Sequence, residues 1–289
     1  MILNYYIVIM KKETIENIKL GFKYFFAITP LIGIVVFAIG QSIDLFSNPD
    51  TFWVKSVLDR KDLFEDNFFE KLTSWNVGEK LLFLFCRNFL TFTTMINVAS
   101  SCFWIYSIKN HSKEGSGRFD NYRYGIMIMG GILWIAFFYN LSLSVTGAIK
   151  VMKWYTYVSW LTEHSIPQFS MVIYFLVFYK KVNVTRDKKQ IAILWAETVA
   201  VVSGYLVFFT ITGAISQATN SFPFFADMSS TGHYVYDFLD MTKANTRVNL
   251  GFLNPLSQWF LAIILFSTTQ TLYFIGTYFL ARKQSVQNV

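Results

Sequence analysis

The sequence predicts an all-α integral membrane protein that crosses the bilayer about six times. Hydrophobic residues make up 54% of its 289 positions and charged residues only 15%, whereas soluble domains carry about 25% charged residues. Aromatic residues reach 19%, and 31 of them are Phe, which suits a lipid-facing surface. Six segments are also apolar over roughly the 20 residues that a helix needs to cross the hydrocarbon layer.

The predicted spans lie in a single membrane domain, residues 20–281. They are 20–43, 81–108, 124–149, 155–179, 191–215 and 256–281. The fourth is the weakest, because Glu-His at 163–164 and Pro-Gln at 167–168 interrupt its apolar pattern. The remaining predicted parts are an N-terminal segment 1–19, long outer loops 44–80 and 216–255, and a C-terminal tail 282–289.

Lys and Arg are divided unequally between the two predicted sides. Outside the spans, 14 fall on the side that holds both termini and 9 on the other, where most are spread over the long loops. The positive-inside rule therefore predicts cytoplasmic termini, and an even number of spans agrees with this. Topology also explains the net charge of +7, so we predict a multi-pass protein of the cell membrane with no nucleic-acid partner.

Several function classes lack their sequence signals. The chain has no Cys-x-x-Cys or Cys/His ligand spacing, so no metal is predicted. It has no nucleotide-binding loop and no Gly-rich phosphate motif, so no cofactor and no ATP-driven or redox chemistry is expected.

Ionisable residues inside the predicted spans are the first candidates for function, because burying charge in a membrane is costly. They are Arg87, Glu163, His164 and Glu197. His164 could act as a general base, and Pro167 removes a helical N–H and so frees the carbonyl of Glu163. The structural alternative is that Arg87 pairs with Glu163 or Glu197, and that the amide side chains join helices by hydrogen bonds.

The second span carries a cluster of threonines in RNFLTFTTMIN. In a continuous helix, Thr91 shares a face with Arg87, and Thr93 shares a face with Asn97. The two threonines then point roughly opposite ways, so only one of them can face a given pocket. A hydroxyl with a nearby base can be a nucleophile, although threonines in membrane helices also bond to their own helix carbonyls.

The order of four motifs carries a family resemblance. FLTFTTMIN lies in the second span, EHSIP opens a later apolar run, and FPFFAD and FSTTQTLYFIGTYF follow. Over roughly residues 80–281 the chain resembles the androgen-induced / androgen-dependent TFPI-regulating protein family and its bacterial relatives. The resemblance implies a six-span fold and, as in the animal members, a threonine hydrolase that cleaves fatty acid esters of hydroxy fatty acids.

The same resemblance implies the site residues. Its histidine falls on His164, and its threonine falls on Thr91 if FLTF is matched, or on Thr93, which is preferred, if the bacterial T-x-x-x-N pattern is matched. The expected hydrolase acts on membrane lipids or acyl esters, with Asn97 steadying the oxyanion. Arg87 and Glu163 are expected beside the substrate. Asp227 of FPFFAD is expected either to orient the site from the outer mouth or to cap a helix or turn.

Two other functions remain open at this point. The polar groups could bind a small solute or proton in a transporter, although the sequence shows no inverted repeat and no pair of broken helices at matching positions. Alternatively, the chain could be a non-catalytic membrane scaffold whose outer loops bind partners.

Overall fold

The computed structural model describes residues 2–47, 74–146, 152–182, 184–219 and 254–287, together with Tyr234 and Leu239. The described part contains helices and their connections and no strand, in agreement with the all-α prediction. The helices are α1 (Ile2–Ser47), α2 (Val77–Phe89), α3 (Phe92–Lys109), α4 (Tyr122–Thr146), α5 (Trp154–Glu163), α6 (Ile166–Val177), α7 (Lys188–Ala218) and α8 (Pro255–Gln287). A short 3-10 turn, His111–Lys113, follows α3.

Several of these helices have the length and composition of membrane spans. Among the described residues, α1, α4, α7 and α8 each pass that test alone, and α2 with α3 passes as a bent pair, which makes five. The outer face of α1 is apolar, with exposed side chains every three or four residues at Phe22, Phe25, Ile28, Ile32, Val35 and Ile39. Exposed apolar faces of this size would associate in water, and they identify a membrane protein.

Two of the predicted spans are broken helices. The segment 81–108 divides at Leu90 and Thr91 into α2 and α3, which are bent by 59°. The segment 155–179 divides into α5 and α6, of 10 and 12 residues, so neither half reaches the roughly 20 residues of a full span. The interruption predicted between Glu163 and Gln168 is therefore confirmed, whereas the second span is not one straight helix.

Contacts at the two ends of the bundle show how the helices run. At one end, here called the basic end, Lys23 contacts Glu114 at 2.6 Å, and Tyr179 donates to the carbonyl of Asp120. At the opposite end, Tyr155 donates to Asp44 at 2.7 Å. Because α5 begins beside the end of α1 and α6 ends beside the connection 110–121, the two short helices together run the length of the bundle.

The last helix returns to the basic end as well. Tyr278 of α8 donates a hydrogen bond of 3.0 Å to the carbonyl of Thr185, in the connection before α7. At the other end, Trp259 donates to Thr210 at 2.9 Å. The first part of α1 and the last part of α8 therefore lie at the same end of the bundle.

Candidate functional site

The break between α5 and α6 follows from the residues that lie between the two helices. His164 is the C-cap of α5, Ser165 has non-helical backbone angles, and Pro167 lies in the first turn of α6, where a missing N–H costs no helical hydrogen bond. The carbonyls of the last turn of α5 consequently lose the donors that a continuous helix would supply. The break thus exposes acceptors in the interior of the bundle, where each needs a partner.

Three amide side chains supply those partners. Asn97 of α3 donates to the carbonyl of Glu163 at 3.2 Å, and Gln168 donates to that of Thr162 at 2.8 Å. Asn140 of α4 donates to the carbonyl of His164 at 2.5 Å. The carbonyl of Glu163 that Pro167 was predicted to free is therefore bonded to Asn97, and the amides join α3, α4 and α6 to the end of α5.

His164 is buried against α4. Its ring stacks on Tyr139, with ring centroids 3.6 Å apart and an interplanar angle of 12°, and it lies within hydrogen-bond reach of the backbone of Ile135. The residue is 5% exposed, and its Nδ1 atom has no hydrogen-bond partner. A buried polar atom without a partner is uncommon and calls for an explanation such as a catalytic role or a bound molecule.

Glu163 lies next to His164 with its carboxyl group turned toward α1. Ser159, one turn earlier in α5, donates to its Oε1 atom at 2.7 Å. Gly33 of α1 packs so closely that a Cβ atom there would lie 2.8 Å from Cγ of Glu163. The carboxyl group therefore sits in a tight contact between α1 and α5.

Arg87 belongs to the same region. Its guanidinium lies over the ring of Phe37, 5.2 Å from the ring centroid, and within electrostatic range of Glu163 and Tyr139. Glu197, the other partner considered for Arg87, instead forms an ion pair with Arg123. Of the two carboxylates considered, Glu163 is the one near Arg87.

The two candidate threonines differ in local structure. Thr91 caps the N-terminus of α3: its hydroxyl oxygen accepts from the backbone N–H of Thr94 at 3.4 Å and donates to the hydroxyl of Thr94 at 3.2 Å. Because Thr91 lies between two helices, the helical register expected with Arg87 does not apply to it. Thr93 is half-buried within α3, one turn before Asn97, as the spacing predicts.

Neither threonine hydroxyl is hydrogen-bonded to His164 in the described structure. Thr93 lies on the same face of α3 as Asn97, and the fully buried Asn97 bonds the end of α5. Asp227, the last predicted site residue, lies outside the described residues.

Sequence reasoning missed three of the residues that surround the break. Ser159 had a usable signal, since it precedes Glu163 by one helical turn. Tyr139 and Gly33 had none, because they reach the site only through the packing of α4 and α1. In the part of the chain described, no group of three or more His, Cys, Asp or Glu side chains is arranged to hold a metal ion.

Comparison of the chain with protein-family models, curated proteins and solved structures finds no match. The family resemblance stays a prediction. Any inference about the reaction of this protein therefore rests on the residues at the helix break.

Proposed function

We propose that this protein crosses the membrane six times, with both termini in the cytoplasm, and hydrolyses lipid or fatty-acyl esters at the break between α5 and α6. The sixth crossing is the pair α5 and α6, whose two ends lie at opposite ends of the bundle. The excess of Lys and Arg at the basic end supports its cytoplasmic location.

One observation carries the enzymatic part of the proposal. A buried imidazole has an unbonded Nδ1 atom, beside a helix end that is tied to α3 through Asn97. Thr93 lies one helical turn from Asn97 and is the favoured nucleophile. Thr91 is the weaker candidate, because its hydroxyl already serves as a helix cap.

In the proposed reaction, the hydroxyl of Thr93 attacks the ester carbonyl carbon and gives its proton to His164. The amide of Asn97 or nearby backbone N–H groups steady the oxyanion. The intermediate then expels the alcohol, which takes the proton from the imidazolium, and leaves an acyl ester on the threonine. Water activated by His164 hydrolyses that ester, releases the fatty acid and restores the enzyme. Hydrogen bonds between nucleophile and base often tighten only with substrate bound.

A fluorophosphonate probe tests this proposal directly, because it labels activated hydroxyl nucleophiles. We expect labelling of the purified wild-type protein, and a loss of about 100-fold or more in Thr93→Val and in His164→Ala. Thr198→Val is the matched control, since Thr198 is buried and bonded to the carbonyl of Leu194 in its own helix. Equal labelling of Thr93→Val, Thr91→Val and the control would contradict the proposed hydrolase activity.

A second candidate function is a small-solute or proton transporter, and a specific observation favours it. Two helices of the bundle are broken, and Asn97, in the second half of one of them, bonds the end of α5 at the other break. Discontinuous membrane helices with a buried carboxyl group such as Glu163 are typical of substrate sites in transporters.

Reconstituted vesicles containing a pH-sensitive dye separate the two functions. Transport coupled to Glu163 predicts proton flux that Glu163→Gln abolishes and Thr93→Val leaves unchanged. Hydrolysis predicts that Thr93→Val lowers probe labelling more than Glu163→Gln does. It also predicts no proton flux above that of empty vesicles.

A further inference from the structure

A cavity of about 580 Å³ lies at the basic end, away from the helix break. It is formed by the connection before α4 and by the start of α7. Its polar wall is made by the side chains of Arg118, Asn121, Arg123, Thr185 and Gln190. It is separate from the proposed reaction site, which lies at the junction of α3, α5 and α6.

The charged side chains of the cavity lining favour binding of an anion. The residues that line the cavity include two arginines and no acidic residue. Glu197 of α7 pairs with Arg123 through both of its oxygens and so holds that guanidinium at the wall. Arg118 lies over the ring of Phe119, and the sequence just past the cavity adds Arg186, Lys188 and Lys189 against one Asp187. Asp120 lies against Gly117 of the lining. The five basic residues therefore face three acidic ones, Asp120, Asp187 and Glu197, and the local field is positive.

The arginines supply the hydrogen-bond donors. A guanidinium group is planar, keeps its charge and carries several N–H donors in a geometry that matches phosphate oxygens.

Another part of the lining is apolar. Val182, Ile193 and Leu194 line it, and the last two belong to α7, a helix able to cross the membrane. A free phosphate ion gains nothing from contact with these apolar side chains. A phospholipid places its phosphate at the level of the basic residues and its acyl chains along the helix.

We propose that this cavity binds a phosphate anion, with Arg118 and Arg123 as its charged ligands, and that the anion is the headgroup of an anionic phospholipid in the leaflet at the basic end. The other source of the same chemistry is a soluble phosphate compound. The test below distinguishes the two sources.

The experiment measures lipid bound to the full chain in detergent by native mass spectrometry, with phosphatidylglycerol and phosphatidylcholine offered at equal concentration. We expect phosphatidylglycerol to be enriched on the wild-type protein. Arg118→Gln should reduce the enrichment about fivefold, and Gln190→Glu should reduce it further by placing a negative charge in the wall. Lys109→Gln is the control, because it removes the same charge at the basic end from a residue outside the cavity lining.

A parallel arm adds inorganic phosphate or glycerol phosphate at millimolar concentration. Displacement of the lipid only by anionic lipid supports a headgroup site, whereas displacement by soluble phosphate keeps the anion site and assigns it to a soluble compound. Equal lipid retention by Arg118→Gln, Gln190→Glu and Lys109→Gln would overturn the proposal, provided that the three variants melt at the wild-type temperature. If Arg118→Gln fails to fold, Gln190→Glu decides the test alone.

Discussion

Two regions of this bundle bury ionisable side chains, and they do so in different ways. At the basic end, Lys23 is fully buried, and its ammonium lies 2.6 Å from Glu114 and 3.0 Å from Nδ1 of His111. Glu114 also accepts from the backbone N–H of Lys180 at 2.9 Å. The buried charges at this end face opposite charges or hydrogen-bond partners at direct contact.

The break between α5 and α6 satisfies its backbone and leaves a side chain unsatisfied. The carbonyls of residues 162–164 all accept hydrogen bonds from amides, yet Nδ1 of His164 has no partner. A structural cluster gains stability by pairing every group. The comparison therefore assigns a structural role to the Lys23–Glu114 pair and favours binding or chemistry at the helix break.

The largest expected effect tests the structural role of the basic end. Lys23→Met leaves the carboxylate of Glu114 buried beside an apolar side chain, and breaking a buried pair in this way costs about 3–5 kcal/mol. Thermal unfolding in detergent measures the loss. The double variant Lys23→Met/Glu114→Gln removes both charges and should recover at least half of it. A double variant as unstable as the single one would show that the pair is not the source of the stability.

The next effect concerns the amide that joins α3 to α5. Asn97→Ala leaves the carbonyl of Glu163 without its donor and should destabilise the fold by about 1–3 kcal/mol. Asn88→Ala is the matched control in α2, because Asn88 is also buried but donates only to Leu84 in its own helix. Similar losses in the two variants, measured by thermal unfolding, would mean that Asn97 does not hold the broken helix.

The sequence predicted the positions of the apolar helices and the break at Glu163–Gln168, because hydropathy and proline act locally. It did not predict the 59° bend between α2 and α3, since neither Leu90 nor Thr91 is a helix breaker and Thr91 reads as a cap only once the helix is known to end there. The pairing of Glu197 with Arg123 was equally hidden, because those residues are 74 positions apart in the chain.

The candidate site was partly predictable for the same reason. Glu163 and His164 were found from their cost in a membrane and Asn97 from its spacing to Thr93, and the structure brings Asn97 to the carbonyl of Glu163. The stacking of Tyr139 on His164 and the contact of Gly33 with Glu163 depend on how α4 and α1 pack, which no local pattern encodes.

The packing of α1 on the helix break gives a third prediction. Gly33→Ala would place its Cβ atom 2.1 Å from Oγ1 of Thr162 and 2.8 Å from Cγ of Glu163, so α1 and α5 must separate. We expect a loss of about 1–3 kcal/mol. Gly21→Ala, in the same helix with no atom within 4 Å of the new Cβ, should stabilise by about 0.5–1 kcal/mol. Stabilisation in both variants would contradict the close packing at the break.

The smallest effect is a dependence of stability on pH at the basic end. Lys181, in the connection after α6, is 7% exposed, and its ammonium donates to the carbonyls of Leu176 and Tyr179 at 3.1 and 3.0 Å. Burial lowers the pKa of Lys181 from 10.5 to about 8, although the nearby carboxylate of Glu114 opposes the shift. The unfolded chain then binds more protons than the folded protein between these values, so stability rises as the pH rises through about 8.

Thermal unfolding of the wild-type protein should therefore show a gain on the order of 1 kcal/mol between about pH 7.5 and pH 9, beyond the change seen in Lys181→Met. Lys180→Met, which alters an exposed neighbour, controls for the loss of one positive charge and should follow the wild-type profile. If Lys181→Met keeps the same rise, the proton lost at this pH belongs to another group. The ammonium of Lys181 would then stay charged through this pH range, stabilised by the carbonyls of Leu176 and Tyr179.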